Sequence, residues 1–133
     1  MGIKSFHDLD VYNNSYADCL KVIKEVLPKL PPEEKYDLKD QLRRSTKAVP
    51  RLIAEGYAKR HQKFGFHKYL DDAMAESNET VVGLEMCRDL YGDRMKDLNL
   101  KSLIDSYDKT GRMIYNLAKS WTTFSDGRRN PAS

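Results

Sequence analysis

The sequence predicts an all-α protein, an antiparallel up-down four-helix bundle, on three observations. Four stretches carry apolar residues at alternating three- and four-residue spacing, the mark of one buried helical face. Proline or glycine separates them, at Pro28 to Pro32, Gly65 and Gly92. No run of alternating apolar and polar residues competes for a strand. Residues 1–121 are expected to form this one domain, with helices at about 9–28, 33–62, 65–91 and 98–121. Residues 122–133, rich in Ser, Gly, Arg, Asn and Pro, are expected to be a flexible tail whose Arg128 and Arg129 add positive charge.

The first helix begins near Asp8 or Asp10, either of which can cap it, and Leu9, Tyr12, Tyr16, Cys19, Leu20, Ile23, Val26 and Leu27 supply its apolar spacing. Pro28 ends it, and Pro31 and Pro32 form the connection. Pro32 followed by Glu33 and Glu34 suits a helix start, with a rigid first residue and acids at the positive end of the dipole. The second helix then has a seam of Leu38, Leu42, Ser45, Val49, Leu52 and Gly56. Pro50 inside it removes a backbone donor and crowds the carbonyl of Thr46, at a cost of about 3 kcal/mol in an ordinary helix. No loop-forming residues accompany that proline, so the spacing predicts one kinked, continuous helix. In the third helix the repeat is Phe66, Leu70, Ala73, Ser77, Val81, Leu84, Cys87 and Tyr91, stopped by Gly92-Asp93. The fourth opens at Leu98 or Asn99 and carries Leu100, Leu103, Tyr107, Thr110, Ile114, Leu117 and Trp121.

Further apolar residues crowd beside or outside these stripes: Val11, Val22, Ile53 next to Leu52, Tyr57, Tyr69, Val82, Met86, Met113 and Tyr115. A bundle of 133 residues is too small to bury all of them, and excess apolar surface marks an interface, so an oligomer is expected.

With 40% hydrophobic and 32% charged residues there is no apolar run of membrane length, and the start Met1-Gly-Ile-Lys lacks a signal-peptide core. No membrane association and a cytoplasmic location are therefore expected. Cys19 and Cys87 fall on apolar faces and read as free thiols. The net charge of +3 is unevenly spread: residues 41–70 hold eight Lys or Arg against the single acid Glu55. Arg43, Arg44, Lys47 and Arg51 share one face of the second helix, which Lys59, Arg60 and Lys63 extend. Such segregation makes a field that an anionic partner feels, and Arg forks match phosphate oxygens. With no aromatic platform in the stretch, the contacts expected are to phosphates rather than bases, and binding to nucleic acid is expected to be weakly sequence-specific and steeply salt-dependent.

Catalytic patterns are missing. There is no phosphate-cradling glycine loop, no nucleophile elbow and no histidine pair at metal-ligand spacing. His61 and His67 straddle Gly65 and do not share a face, and His7 reads as a surface or capping residue. Asp72, Glu76 and Glu79 share a face of the third helix but lack the Glu-x-x-His elements of a bundle di-metal site, so they read as salt-bridging groups. Glu55 reads as one half of a buried ion pair with a neighbouring Arg. No enzyme activity, metal or cofactor is expected.

Asp-Gln-Leu-Arg-Arg-Ser at 40–45 and Val-Pro-Arg-Leu-Ile-Ala-Glu-Gly at 49–56 resemble the signature of the bacterial four-helix-bundle family named for intervening sequences in 23S ribosomal RNA genes. Phe6 to Tyr12 resembles that family's opening, Leu30-Pro-Pro-Glu-Glu34 its first loop, and Phe66 to Glu79 its third helix. The chain departs from the pattern at Tyr12, where the family has Trp, and at Leu52, where it has Asn; any role of that Asn does not transfer. The resemblance extends to the accessory variability determinant (Avd) of diversity-generating retroelements. It implies a homopentameric ring of four-helix protomers and an RNA-associated role, with ribosomal RNA or a reverse transcriptase and its template RNA as partners. The sequence therefore leads to a non-enzymatic, basic, oligomeric nucleic-acid-binding protein. The alternative is a protein-binding oligomeric scaffold whose basic face pairs with acids of neighbouring subunits.

Overall fold

The computed structural model describes the backbone of residues 2–129 and the side chains as far as Trp121. It contains four long helices, α1 (Asp10–Lys21), α2 (Leu38–Ala58), α3 (Gly65–Tyr91) and α4 (Leu100–Arg129), and no strand among the described residues. Contacts join α1 to α2, α2 to α3, α3 to α4 and α4 to α1, so each helix has two neighbours around a shared interior.

That interior is two apolar clusters with a polar layer between them. One cluster gathers Val22, Leu27, Leu38, Leu42, Leu84, Leu103 and Tyr107; the other gathers Leu9, Val11, Val49, Ile53, Phe66, Leu70 and Ile114. On each helix the chain passes from one cluster to the other through buried polar residues: Ser15 and Asp18, Ser45 and Thr46, Ser77 and Thr80, and Thr110. Buried polar groups are costly unless hydrogen-bonded, and most of these are. Thr46 Oγ1 bonds the Tyr107 hydroxyl, Thr80 Oγ1 lies 2.9 Å from Ser45 Oγ, and Ser77 Oγ donates to the Tyr107 carbonyl at 3.1 Å. Ser106 Oγ bonds the Asp18 carboxylate. Among the described residues only the Thr110 hydroxyl is buried without a partner.

Of the apolar stripe expected for the first helix, Leu9, Cys19, Val26 and Leu27 are buried and the rest turns partly or wholly outward. Val11, Ser15, Asp18 and Cys19 point inward, while Tyr16 is 50% and Leu20 38% exposed and Tyr12 and Ile23 are half-buried. Neither expected aspartate caps α1. Its N-cap is Leu9, with no side-chain bond, and Asp8 instead closes a capping box with Ser5 around the 3-10 turn Phe6–Asp8. Beyond Lys21 the chain stays helical but widens into a π turn, Val22–Val26, closed by the Leu27 N–H on the Val22 carbonyl. The added residue turns Val22, Val26 and Leu27 all toward the core.

The second helix is shorter than the expected 33–62. Pro32–Glu34 makes only a 3-10 turn, and Asp37, at φ −126° and ψ −108°, interrupts the backbone before α2. Glu34 bridges the gap: its carboxylate accepts the Leu38 N–H at 3.1 Å and the Tyr91 hydroxyl, and that bond is the main reason the Tyr91 phenol is pushed up to about 12. The helix runs through Pro50 without a break, as expected. Its buried face after Val49 passes through Ile53 and Tyr57 rather than Leu52, which is half-buried.

The helix ends at Ala58, four residues before expectation. Arg60 N–H bonds the Tyr57 carbonyl at 3.2 Å and Gln62 N–H the Lys59 carbonyl at 3.0 Å, closing tight turns in place of a helix. Phe64 then takes a left-handed conformation at φ 59°. Gly65 is required here, because a Cβ would lie 2.1 Å from the Lys59 carbonyl oxygen.

After α3, Gly92–Met95 forms a 3-10 turn where Gly92-Asp93 marks the expected stop. Asn99 caps α4 by accepting the Ser102 N–H at 3.0 Å. The fourth helix continues to Arg129 rather than stopping at Trp121, since no proline intervenes before Pro131 and a single Gly127 costs only about 1 kcal/mol. Of the tail expected at 122–133, residues 130–133 lie outside the described residues.

Candidate nucleic-acid interface

Four of the seven expected cations come together on α2. Arg43, Arg44, Lys47 and Arg51 line a shallow depression of about 450 Å³ with Gln41, Ser45 and Ala48. The three-and-four spacing of a helix puts them on one side, and the burial of Leu42, Thr46 and Val49 against the core forces that side outward. Of the three arginines Arg44 is the barest, its side chain 73% exposed, and it reaches Asp40 at 3.1 Å. Arg43 stands 4.0 Å from the same carboxylate, and Arg51 lies 3.8 Å from Glu55. Lys47 has no ion pair among the described residues. These pairs join neighbours one turn apart in water, where each contributes under about 1 kcal/mol, so a phosphate can displace them. Glu55 is thus in an exposed pair and not the buried one its sequence position suggests.

The opposite wall of the depression is acidic. Glu76 and Glu79 project from α3, and the Glu76 carboxyl lies above the usual carboxylate range through partial burial and the nearby charges of Glu79 and Asp72, opposed by Arg51 and Arg44. The positive surface therefore faces away from α3 and toward the start of α2. There Arg43 also lines a second depression, of about 390 Å³, with Lys35, Tyr36, Lys39, Asp40, Leu30, Pro31 and Pro32. Lys39, Arg43, Lys47 and Arg51 follow one another at four-residue intervals, a ridge about 18 Å long at 1.5 Å per residue.

Lys59, Arg60 and Lys63 do not extend this ridge, because the helix ends before them. From the connection to α3, each of the three is turned onto a nearby aromatic ring. Lys59 Nζ donates to the Tyr69 hydroxyl at 2.9 Å, the main cause of its raised pKa. The Arg60 guanidinium lies 4.0 Å from the Tyr57 ring centre and donates to the Tyr57 carbonyl at 2.8 Å. Lys63 Nζ stands 5.5 Å from the Phe64 ring centre. Lys35, Tyr36 and Lys39 were not among the expected site residues. Lys39 carried a signal, its place four residues before Arg43; Tyr36 carried none, because residues 33–62 read as uninterrupted helix.

On the other flank of α2 the surface is apolar. Phe6, Tyr12, Tyr16, Cys19, Leu20, Ile23, Pro50 and Ala54 line a groove of about 440 Å³, with Lys47, Arg51 and Glu55 at its edge. Among the described residues no group of three His, Cys, Asp or Glu side chains is placed to hold a metal. His67 Nε2 is within 2.8 Å of the Ala118 carbonyl. Both cysteines are buried and free. Among the described residues no helix is long and apolar enough to cross a membrane.

Compared with known proteins, the chain matches the family model described as 23S rRNA-intervening sequence protein over residues 7–116. No curated protein matches it.

Proposed function

The chain belongs to the 23S rRNA-intervening sequence protein family, and on that premise we propose that it is a non-enzymatic, cytoplasmic RNA-associated protein that binds the phosphate backbone through α2. The observation that carries this reading is the convergence of Arg43, Arg44, Lys47 and Arg51 on one exposed depression, held only by short-range helical pairs. Arg forks and ammonium groups spaced along a ridge match successive phosphates without reading bases, so affinity comes from counterion release. Lys59, Arg60 and Lys63 add field from the neighbouring connection.

The inward and outward faces of α1 support self-association. The helix buries Ser15 and Asp18 while leaving Tyr16 and Leu20 outside, an inversion that costs free energy unless a second surface covers the outer stripe. A second copy supplies a matching element: Val82, Met86 and Leu90 form an exposed apolar stripe on α3 that complements the groove lined by Tyr16, Leu20 and Ile23. A stripe meeting a different groove is a heterologous contact, the kind that generates a ring where its rotation closes. This fits an up-down antiparallel bundle assembled as a homopentamer, the arrangement the resemblance to the retroelement accessory proteins implies, with a reverse transcriptase or ribosomal RNA as the larger partner. A protein-binding scaffold without RNA is the rival reading, favoured by the same groove.

Binding of a labelled single-stranded RNA separates them, with particle mass recorded alongside. Arg43→Glu/Arg44→Glu, which leaves the apolar groove intact, is expected to lose RNA and keep the oligomer; Leu20→Glu is expected to break the oligomer. RNA binding that survives the double charge reversal refutes the α2 interface, and a wild-type oligomer with no affinity for RNA at low salt establishes the scaffold.

A further inference from the structure

We propose that Tyr36 is a nucleobase-stacking platform, so that the strand bound is single-stranded RNA with one base on that ring and the adjoining phosphates on Lys39 and Arg43. The inference rests on the RNA reading of α2 and adds to it a contact to bases, which a purely electrostatic ridge lacks. Tyr36 is 85% exposed, more than any other large hydrophobic residue described. Its backbone is nonetheless fixed. Lys35 N–H bonds the Pro32 carbonyl at 3.1 Å and Asp37 N–H the Glu34 carbonyl at 3.1 Å, while the Glu34 carboxylate ties the turn to Leu38 and to Tyr91. A bare ring on an anchored turn loses little conformational entropy on binding.

The surroundings suit a nucleotide on both counts. Lys35 Nζ lies over one face of the ring, 5.2 Å from its centre, and the ring lines a depression of about 390 Å³. Buried Leu30 and Pro31 give that depression an apolar floor, and Lys35, Lys39 and Arg43 outnumber Asp40 around its rim. A flat base with a charged backbone needs that combination, and stacking on an aromatic ring tolerates any base because each has a π-face. In duplex RNA the bases are already stacked, so the ring selects unpaired segments.

The test uses fluorescence anisotropy of the full chain with a short mixed-sequence single strand, the same strand with abasic riboses, and a duplex. For the mixed strand, Tyr36→Ala is expected to weaken binding by about 5- to 150-fold, the range for loss of one base stack. Binding of the abasic strand and of the duplex, and the slope of affinity against salt, are expected to stay unchanged, and Tyr36→Trp is expected to keep the affinity. Circular dichroism on Tyr36→Ala should match wild type, since the ring touches no core. Equal binding of the mixed strand by wild type and Tyr36→Ala, with Arg43→Glu still losing it, overturns the platform and leaves the phosphate reading standing. Wild type that binds no strand overturns both. Displacement of the strand by an equimolar free mononucleotide overturns the assignment to a strand and marks a nucleotide pocket.

Discussion

Two glycines inside helices are predicted to respond to the same substitution with opposite signs. In a solvated helix, Gly→Ala stabilises by about 0.5–1 kcal/mol, because alanine has less backbone entropy to lose. Gly111 of α4 meets that description: an added Cβ would find nothing within 4 Å. At Gly83 of α3 an added Cβ would lie 2.6 Å from Leu42 Cδ2 and 2.8 Å from Leu42 Cγ. Leu42 is only 1% exposed, and Cγ sits one bond from Cβ, so rotation alone does not clear the clash. The helices α2 and α3 must part, at a cost in the overpacking range of about 1–3 kcal/mol, which exceeds the propensity gain. Urea denaturation at fixed protein concentration is expected to show Gly111→Ala raised and Gly83→Ala lowered in midpoint, with similar m-values. Leu42→Ala alone is expected to cost about 2–5 kcal/mol, and adding Gly83→Ala to it should cost less than it does in wild type, since the methyl then enters the vacated space. Strictly additive losses, or a Gly83→Ala that gains stability like Gly111→Ala, would refute the close α2–α3 contact and with it the placement of the basic ridge.

Three further outcomes follow from the polar layer and the thiols. Tyr107→Phe removes the partner of buried Thr46 and is expected to cost about 1–3 kcal/mol, read from the urea midpoint. The Asp18 carboxyl has its pKa raised, mainly by burial with the Ser106 bond opposing; the folded state thus holds its proton more tightly, and stability is lost as pH rises through the folded pKa. Asp18→Asn, which still accepts from Ser106, is therefore expected to gain on wild type between pH 4 and pH 7 in parallel denaturation curves, and a gap that shrinks with rising pH would contradict it. The Cys87 thiol is pushed up to about 12 by burial and by Glu34, so a thiol-specific reagent at pH 8 is expected to leave it unmodified in the native protein and to label it in urea.

What could be read from the sequence was the part governed by local periodicity. The repeats at Phe66, Leu70, Ala73, Ser77 and at Leu100, Leu103, Tyr107, Thr110 correspond to buried residues, because an unbroken three-and-four repeat within one window fixes which face turns inward. α1 buries Leu9 and Cys19 of its expected stripe but leaves Tyr16 and Leu20 outside in favour of Val11, Ser15 and Asp18, since facing α2 and α4 depends on Ser106, Thr46 and Tyr107 that no local window contains. The ridge of Arg43, Arg44, Lys47 and Arg51 was legible from spacing alone. Lys59, Arg60 and Lys63 were misplaced because the end of α2 is set by the left-handed Phe64 and the Gly65 contact with Lys59, which are consequences of the turn to α3. Tyr36 was hidden for the matching reason at the other end, where the Glu34 bonds to Leu38 and Tyr91 hold a turn that Pro-Glu-Glu otherwise suggests to be helix.

The salt dependence of single-stranded RNA binding tests the central claim most directly, using a strand short enough to engage one protomer. Four phosphates neutralised by Arg43, Arg44, Lys47 and Arg51 give a slope of about −2.8 in log affinity against log salt, or about a 50-fold loss between 50 and 200 mM. Arg43→Ala/Arg44→Ala is expected to reduce the slope to about −1.4 and the loss to about 7-fold while the particle mass stays that of wild type. A slope that the double substitution leaves unchanged would contradict the account, since the charge released would then come from a surface other than α2.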